Sequence, residues 1–322
     1  MARHGEPEDV LELADIPRPA PGPGQIQVRV LAAAANFPDV LLCRGVYQVK
    51  VPLPFTLGVE LCGEVTETGP DVCGFAPGDR VIGDTALPHG AFAEYAVMDA
   101  CAALPAPPAL DDAEAAPFYV TYETCWLGLH RRARLQPGET LLVHAAAGGV
   151  GTGAIQIGKA AGARVIGVVG GPEKVALARA VGADVVVDRA HEDFVAVVRE
   201  LTGGRGADVV FDPVGGDVFR KSTKCVAFEG RIVVVGFASG DMQSAALNHA
   251  LVKNYDILGL QGRTYRFLES AAIRDHYAAL LKLTETGEIR TVVTERLTLA
   301  GVPGGLRRLG AGATTGRIVF IP

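Results

Sequence analysis

The stretch LLVHAAAGGVGTGAIQIGK, residues 141–159, decides the fold. An apolar run passes directly into Ala146-Ala147-Gly148-Gly149-Val150-Gly151 and leaves as a helical pattern. This is the GxGxxG spacing with alanine in the first place. Small residues allow a tight strand-to-helix turn. Gly148 lets the backbone approach a pyrophosphate, and Gly151 lets the helix pack closely on the strand. A pyrophosphate in such a turn would rest on N–H groups around Ala147, Gly148, Gly149 and Val150, at the positive end of the helix. A bare GxGxxG is a weak signal; here the preceding strand and the following helix supply its context.

Moving outward, the pattern alternates strand with helix. Strands are expected at 140–144, 164–169, 184–188, 208–211, 231–235 and 257–260. Helices are expected at 150–161, 173–181 and 192–201. Short strands apolar on both faces, alternating with helices, imply a parallel sheet covered on both sides. Asp111 with Glu114 reads as a capping box opening a helical stretch through Leu129. Residues 268–286 read as one helix, and 291–297 and 316–321 as strands.

The first hundred residues differ in character. Residues 17–24, PRPAPGPG, exclude helix and central strand. Strands are expected at 25–30, 59–67 and 80–82, with Gly78-Asp79 as a turn. Strands with no helices between them imply an antiparallel, barrel-like domain. The expected organisation is therefore a β-barrel domain over 1–112 and 263–322, interrupted by a doubly wound dinucleotide-binding domain over 113–262.

Composition limits the function. Of 322 residues, 49% are hydrophobic and 20% charged, which excludes a disordered chain. The net charge of −6 argues against nucleic acid as the main partner. No long uninterrupted apolar stretch or apolar leader is present, so neither a membrane span nor a signal peptide is expected. The six cysteines, Cys43, Cys62, Cys73, Cys101, Cys125 and Cys225, include no CxxC pair. They are expected as reduced thiols in a cytoplasmic protein.

The second strand chooses between nicotinamide cofactors. NAD sites place an acid at its end, on the ribose 2′-hydroxyl. Here the chain reads Val168-Val169-Gly170-Gly171-Pro172-Glu173-Lys174, without an acid at the strand end. Lys174 follows within a turn, and Arg189 ends the third strand. Two cations and no carboxylate favour a 2′-phosphate, and so NADPH.

Several further segments carry a family likeness. They are Asn36-Phe37-Pro38-Asp39, Gly58-Val59-Glu60, Gly78-Asp79-Arg80-Val81, Gly90-Ala91-Phe92-Ala93-Glu94-Tyr95 and Asp212-Pro213-Val214-Gly215-Gly216. With residues 138–159 they make the chain resemble the quinone oxidoreductase (zeta-crystallin-like) branch of the medium-chain dehydrogenase/reductase superfamily, over nearly its whole length. The resemblance implies an α/β protein: a GroES-like substrate domain with an inserted Rossmann domain, a homodimer, and an active site lined by Asn36, Tyr47 and Thr124. Asn36 would donate an amide hydrogen bond to a substrate carbonyl. Tyr47 would either hydrogen-bond or protonate the product, or simply pack in its Gly-Val-Tyr turn. Val214 would flank the nicotinamide ribose, and Gly236 with Phe237 would present backbone groups to its amide. Leu41 falls where some members carry a second tyrosine. Members also open with a β-strand that only Met1-Ala2 leaves room for here, so that strand is expected to be missing or short.

Zinc-dependent relatives have cysteine where Asn36 stands and histidine where Val59 stands. They also carry a cysteine-rich lobe that has no counterpart after Arg80. No metal is therefore expected. Alcohol oxidation needs a Lewis acid to make the alkoxide, whereas a quinone or conjugated enone already accepts hydride. The expected activity is zinc-independent reduction of a quinone by NADPH. Its alternatives are an enone or enoyl-thioester reductase, and a non-catalytic NADPH-binding sensor or structural protein. One-electron and two-electron reduction both stay open.

Overall fold

The computed structural model describes the backbone of residues 1–322 and every side chain except those of Arg266, Phe267, Ser270 and Ala271. In chain order the strands are β1 (Gln25–Ala34), β2 (Glu60–Thr68), β3 (Arg80–Asp84), β4 (Tyr95–Asp99), β5 (Ala103–Pro105), β6 (Thr140–His144), β7 (Arg164–Val169), β8 (Val185–Asp188), β9 (Ala207–Asp212), β10 (Val226–Val234), β11 (Asp256–Gly259), β12 (Val293–Thr298) and β13 (Arg317–Ile321). The helices are α1 (Pro7–Val10), α2 (Phe37–Cys43), α3 (Asp112–Ala115), α4 (Phe118–Trp126), α5 (Gly149–Ala160), α6 (Pro172–Ala180), α7 (Phe194–Leu201), α8 (Gly216–Cys225), α9 (Leu247–Lys253), α10 (Gly262–Leu268), α11 (Ser270–Glu285) and α12 (Val302–Gly310).

Two compact units emerge. The first comprises Met1–Val120 and Arg290–Pro322, the second Thr121–Ile289. The second unit thus extends further than the expected return at residue 263. Residues 263–289 stay with it because side chains on α11 and just before it pair with α4 and the π-helical turn Leu127–Arg132: His276 with Glu123, and Glu269 with Arg131.

In the first unit the sheet runs β12-β13-β1-β2-β3-β5, with β4 also on β1. All pairings are antiparallel except β12 with β13. β1 alternates Ile26, Val28 and Val30 into a core shared with Val65, Val81 and Met98. Its far end pairs with β13, Ala33 opposite Phe320 and Ala34 opposite Val319. The expectation of strands without intervening helices fails, because α1, α2 and α12 lie in this unit. α2 and α12 bury Val40, Leu42 and Leu306 against Ile318 and Phe320. Among the described residues no strand precedes β1.

In the second unit six parallel strands run β11-β10-β9-β6-β7-β8. Successive strands step one way from β6 to β8, then return to start again at β9 on the other side of β6. That reversal opens a crevice beyond the carboxyl ends of β6 and β9, where ligands of such sheets bind. Every residue of β6 is buried. Leu142, Ile166, Val187, Val210 and Ile232 close the core with Phe194 of α7 and Phe219 of α8.

The capping box at Asp111 is present, its side chain accepting the Glu114 N–H at 2.7 Å. The expected continuous helix breaks after α3, where Pro117 lacks an N–H, and resumes as α4. The helix expected over 268–286 is divided between α10 and α11 at Glu269.

Candidate functional site

The second unit builds its site on the turn after β6. Ala145 adopts the left-handed region at φ +49°, which swings the chain sharply off the strand. Gly148 then caps α5 in extended conformation with no side-chain cap. The first-turn N–H groups of α5 therefore have no helical acceptor, and they point outward at the positive end of a twelve-residue helix. A Cβ on Gly148 would meet only the Ala145 carbonyl, at 3.3 Å, so the space above this turn is open to a ligand. Gly151 has no such freedom, because a Cβ there would run into the Ala145 carbonyl oxygen. Ala147 is buried, and Gly148, Gly149 and Val150 are half-buried along the rim. These features fit a bound pyrophosphate.

A second corner lies at the ends of β7 and β8. Arg189 rests across Gly170: a Cβ there would come within 2.9 Å of its Nε. Lys174 sits in the first turn of α6. Partial burial, and then the positive charge of Arg189, lower the Lys174 pKa below the ordinary lysine range. Two cations that already disfavour each other form a place for an anion. Sequence reading placed no acid here, yet Asp188 closes β8 beside them and accepts the Gly171 N–H at 3.1 Å.

At the carboxyl end of β9, Asp212 accepts the N–H groups of Val214 and Gly215 at 2.8 and 3.0 Å through Oδ1. Its Oδ2 is buried without a hydrogen-bond partner, and burial raises its pKa. The Ala238 N–H bonds the Pro213 carbonyl and Ser239 N–H bonds the Val214 carbonyl, so the segment of Gly236 and Phe237 is zipped to that of Val214. Phe237 is 39% exposed and is not a core residue. Thr124 is half-buried on α4 between the buried Glu123 and Cys125, and Cys125 bonds the Val150 carbonyl at 3.2 Å. The glycine-rich helix and Thr124 are thus held by one packed pair of helices.

His144 escaped sequence reading as a site neighbour. It ends β6 fully buried, its Nε2 2.8 Å from the Ser222 hydroxyl. Ser222 donates its own proton to the Val218 carbonyl, so the imidazole must be the donor in this pair. Nδ1 then carries the lone pair. Burial, and then the charge of Arg189, push its pKa down to about 3.

The first unit holds the other two candidates. Asn36 ends the β1 crossing and caps α2 in a capping box with Asp39. Its Nδ2 donates to the Ala34 carbonyl at 3.2 Å and to Glu60 at 2.9 Å, and its Oδ1 accepts from Arg317 at 2.9 Å. Both amide hydrogens are thus spent inside the fold, and the residue is 3% exposed. The expected amide donation to a substrate carbonyl is corrected accordingly: Asn36 is an anchor of a buried network. Glu60 and Arg317 form its ion pair at 2.8 Å, and Glu60 also takes the Val120 N–H at 2.7 Å. Burial raises Glu60 to about 7 against the opposing pull of Arg317. Burial likewise raises Asp39 to about 8, although Asp39 accepts the N–H groups of Asn36 and Val59. Tyr47 is half-buried and packs on the cluster of Val40 and Phe320.

Among the described residues no group of three or more His, Cys, Asp or Glu side chains is arranged to hold a metal ion. Among the described residues no cysteine forms a disulfide. No helix among the described residues is long and apolar enough to cross a membrane.

Comparison with known proteins agrees with this layout. Residues 22–108 match the alcohol dehydrogenase GroES-like domain and residues 149–283 the zinc-binding dehydrogenase family. Quinone oxidoreductase-like protein 2 of Mus musculus is 41% identical over 255 residues, covering 79% of this chain and 72% of that protein. A stretch of the phthioceranic/hydroxyphthioceranic acid synthase of Mycobacterium tuberculosis is 36% identical over 315 residues, 96% of this chain but 14% of the synthase. The crystal structure of Escherichia coli quinone oxidoreductase complexed with NADPH superposes with a TM-score of 0.93 at 31% identity, covering 100% of this chain and 98% of that one.

Proposed function

The chain belongs to the quinone oxidoreductase branch of the medium-chain dehydrogenase/reductase superfamily, and we propose that it transfers hydride from NADPH to a quinone or similarly activated carbonyl without zinc. The observation that carries this reading is the pairing of an uncapped helix start at Gly148 with the cations Lys174 and Arg189 in the same unit. The first suits a pyrophosphate and the second a 2′-phosphate. When bound, NADPH supplies the hydride, and the protein supplies binding and orientation.

The residues then divide the work. Ala147, Gly148, Gly149 and Val150 cradle the pyrophosphate. Gly170 gives Arg189 room to lie beside Lys174 at the ribose phosphate. Val214, Gly236 and Phe237 line the nicotinamide end on a loop shaped by Asp212. Thr124 faces the same end from α4. Tyr47 supplies a hydroxyl to the substrate oxygen, and Asn36 keeps the end of β1 in place.

Zinc independence is supported by the donors themselves. Asn36 and Val59 stand where the resemblance puts cysteine and histidine, and the Asn36 side chain is fully engaged. The donor set does not fit a zinc ion. An acceptor that needs no Lewis acid follows.

A second acceptor class, conjugated enones and enoyl-thioesters, is favoured by one observation. Nearly the whole chain matches a short stretch of a phthioceranic/hydroxyphthioceranic acid synthase, and an enzyme named for making an acid is a setting in which an enoyl-thioester could be the acceptor. Steady-state NADPH oxidation against quinones, alkenals and enoyl-thioesters separates the two, with elemental analysis on the same sample. Turnover with quinones at zinc below 0.1 equivalent (about tenfold under stoichiometric) supports the first reading. Turnover with enoyl-thioesters alone replaces it with the second. Binding of NADPH with no turnover would favour a sensor. The homodimer that the resemblance implies is tested by light scattering.

A further inference from the structure

Asp188 is the acid that the sequence reading passed over, because it ends the strand beside β7 instead of β7 itself. One oxygen, Oδ1, accepts the Gly171 N–H at 3.1 Å and the Ala190 N–H at 3.0 Å. Gly171 opens the segment that carries Lys174, and Ala190 follows Arg189 directly. A single carboxylate oxygen therefore fastens together the two arms that bear the cations.

The fastening adds to what already holds each arm. Gly171 sits at φ +93° as the cap of α6, a conformation with little of its own to hold it. The Arg189 arm is pinned to β7 by its N–H on the Val169 carbonyl at 2.9 Å, while its side chain lies over Gly170. The Lys174 ammonium and the Arg189 guanidinium repel each other, so without a link between the arms their separation would widen. Charge-assisted hydrogen bonds to one phosphate need both cations at fixed spacing.

We propose that Asp188 is a positioning residue that sets the preference for NADPH over NADH by holding the Lys174 and Arg189 arms at phosphate-binding distance through its shared acceptor oxygen. This rests on the NADPH reading above. The acceptor, and not the negative charge, is the working part. The charge itself stands near the phosphate and opposes its binding. Asp188→Asn keeps an oxygen at the same place and loses the charge. Asp188→Ala loses both. Asp188→Ser offers a shorter oxygen that cannot span the two amides, and it carries the test if the alanine variant does not fold.

The experiment titrates NADPH, NADH and 2′,5′-ADP against wild type and the three variants, reading nucleotide fluorescence for the first two and calorimetry for the fragment. In Asp188→Ala, NADPH and 2′,5′-ADP should each weaken about tenfold, the value of one lost charged hydrogen bond, while NADH changes less than about twofold. Asp188→Ser should lie between wild type and alanine. Asp188→Asn should match wild type or bind NADPH more tightly. Equal weakening of NADPH and NADH in the alanine variant, or in the serine variant where it stands in, overturns the proposal, as does an asparagine variant that behaves like alanine. Wild type that binds NADH as well as NADPH would instead overturn the cofactor reading, and this proposal with it.

Discussion

The carbonyl oxygen of Ala145 occupies the space that a side chain on Gly151 would need, closer than any real Cβ approaches. A Cβ on Gly148, three residues earlier in the same turn, would meet that oxygen at 3.3 Å, a close contact relieved by a shift of a few tenths of an ångström, and otherwise face open space. The two glycines therefore serve different ends, one the fold and one the ligand.

Substitution separates those ends. Gly151→Ala should destabilise the protein by about 1–3 kcal/mol through overpacking, read as a shifted urea midpoint. Gly148→Val should leave that midpoint nearly unchanged and abolish most NADPH binding. Equal NADPH affinity in Gly148→Val would remove the pyrophosphate from this turn.

Cofactor choice gives a second prediction. Lys174 and Arg189 lie near solvent, so each should contribute on the order of tenfold in NADPH affinity, less in high salt. Lys174→Ala should weaken NADPH while barely changing NADH, and adding Arg189→Ala should narrow the difference further. Fluorescence titration at two salt concentrations decides it. A Lys174→Ala variant that loses both cofactors alike would mean the lysine supports the fold and not the phosphate.

Acid stability should carry the signature of His144. Its folded pKa lies at about 3, below the ordinary histidine value of 6.5, so the unfolded chain binds a proton the folded one refuses. The stabilisation is complete above pH 6.5 and is lost as pH falls towards 3. The slope is about 1.4 kcal/mol per pH unit for one proton. His144→Gln, which keeps an N–H donor towards Ser222 but does not titrate, should lack that slope. Urea midpoints at pH 7, 6, 5 and 4 compare the two proteins, and parallel curves would contradict the assignment.

The buried pair of Glu60 and Arg317 predicts a non-additive cycle. Arg317→Met strands a carboxylate that is fully enclosed and should cost about 3–5 kcal/mol. Glu60→Gln combined with Arg317→Met removes the stranded charge and should recover much of that loss. A double variant as unstable as the sum of the single ones would show that the two residues act independently.

How much of this was legible in the sequence depended on distance along the chain. The β6 turn and α5 could be read because strand, glycines and helix are contiguous. Lys174 and Arg189 were readable as charges near strand ends. Asp188, also local, ends β8, whereas the acid of an NAD site is expected at the end of β7. The engagement of Asn36 was invisible, since its partners Glu60 and Arg317 lie 24 and 281 residues away. α2, which opens with a capping box of Asn36 and Asp39 and a proline in its first turn, was not expected from the sequence, where residues 36–39 stood only as a segment of family likeness. α12 opens with Val302-Pro303-Gly304-Gly305, a composition that argues for a turn until the burial of Leu306 against the end of the sheet overrides it. α8 begins at Gly216, and its buried stripe of Phe219, Ser222 and Cys225, three residues apart, holds one large apolar side chain, so the stripe is faint in the sequence.

The pairing of β1 with β13 has a consequence for how the chain is made. A ribosome delivers Ala33 nearly three hundred residues before Phe320, its partner across the sheet. During that interval the whole segment Thr121–Ile289 has emerged and can close its own core. The first unit, although first out, waits longer, because the Ala33–Ala34 end of β1, paired on one side with Leu61 and Glu60 of β2, has no partner on its other side until β13 emerges. Arg317 arrives with that last strand, so Glu60 waits as long for its counter-charge. Chains released before residue 317 would therefore carry a completed nucleotide-binding unit beside an unfinished sheet edge, the form most in need of a chaperone.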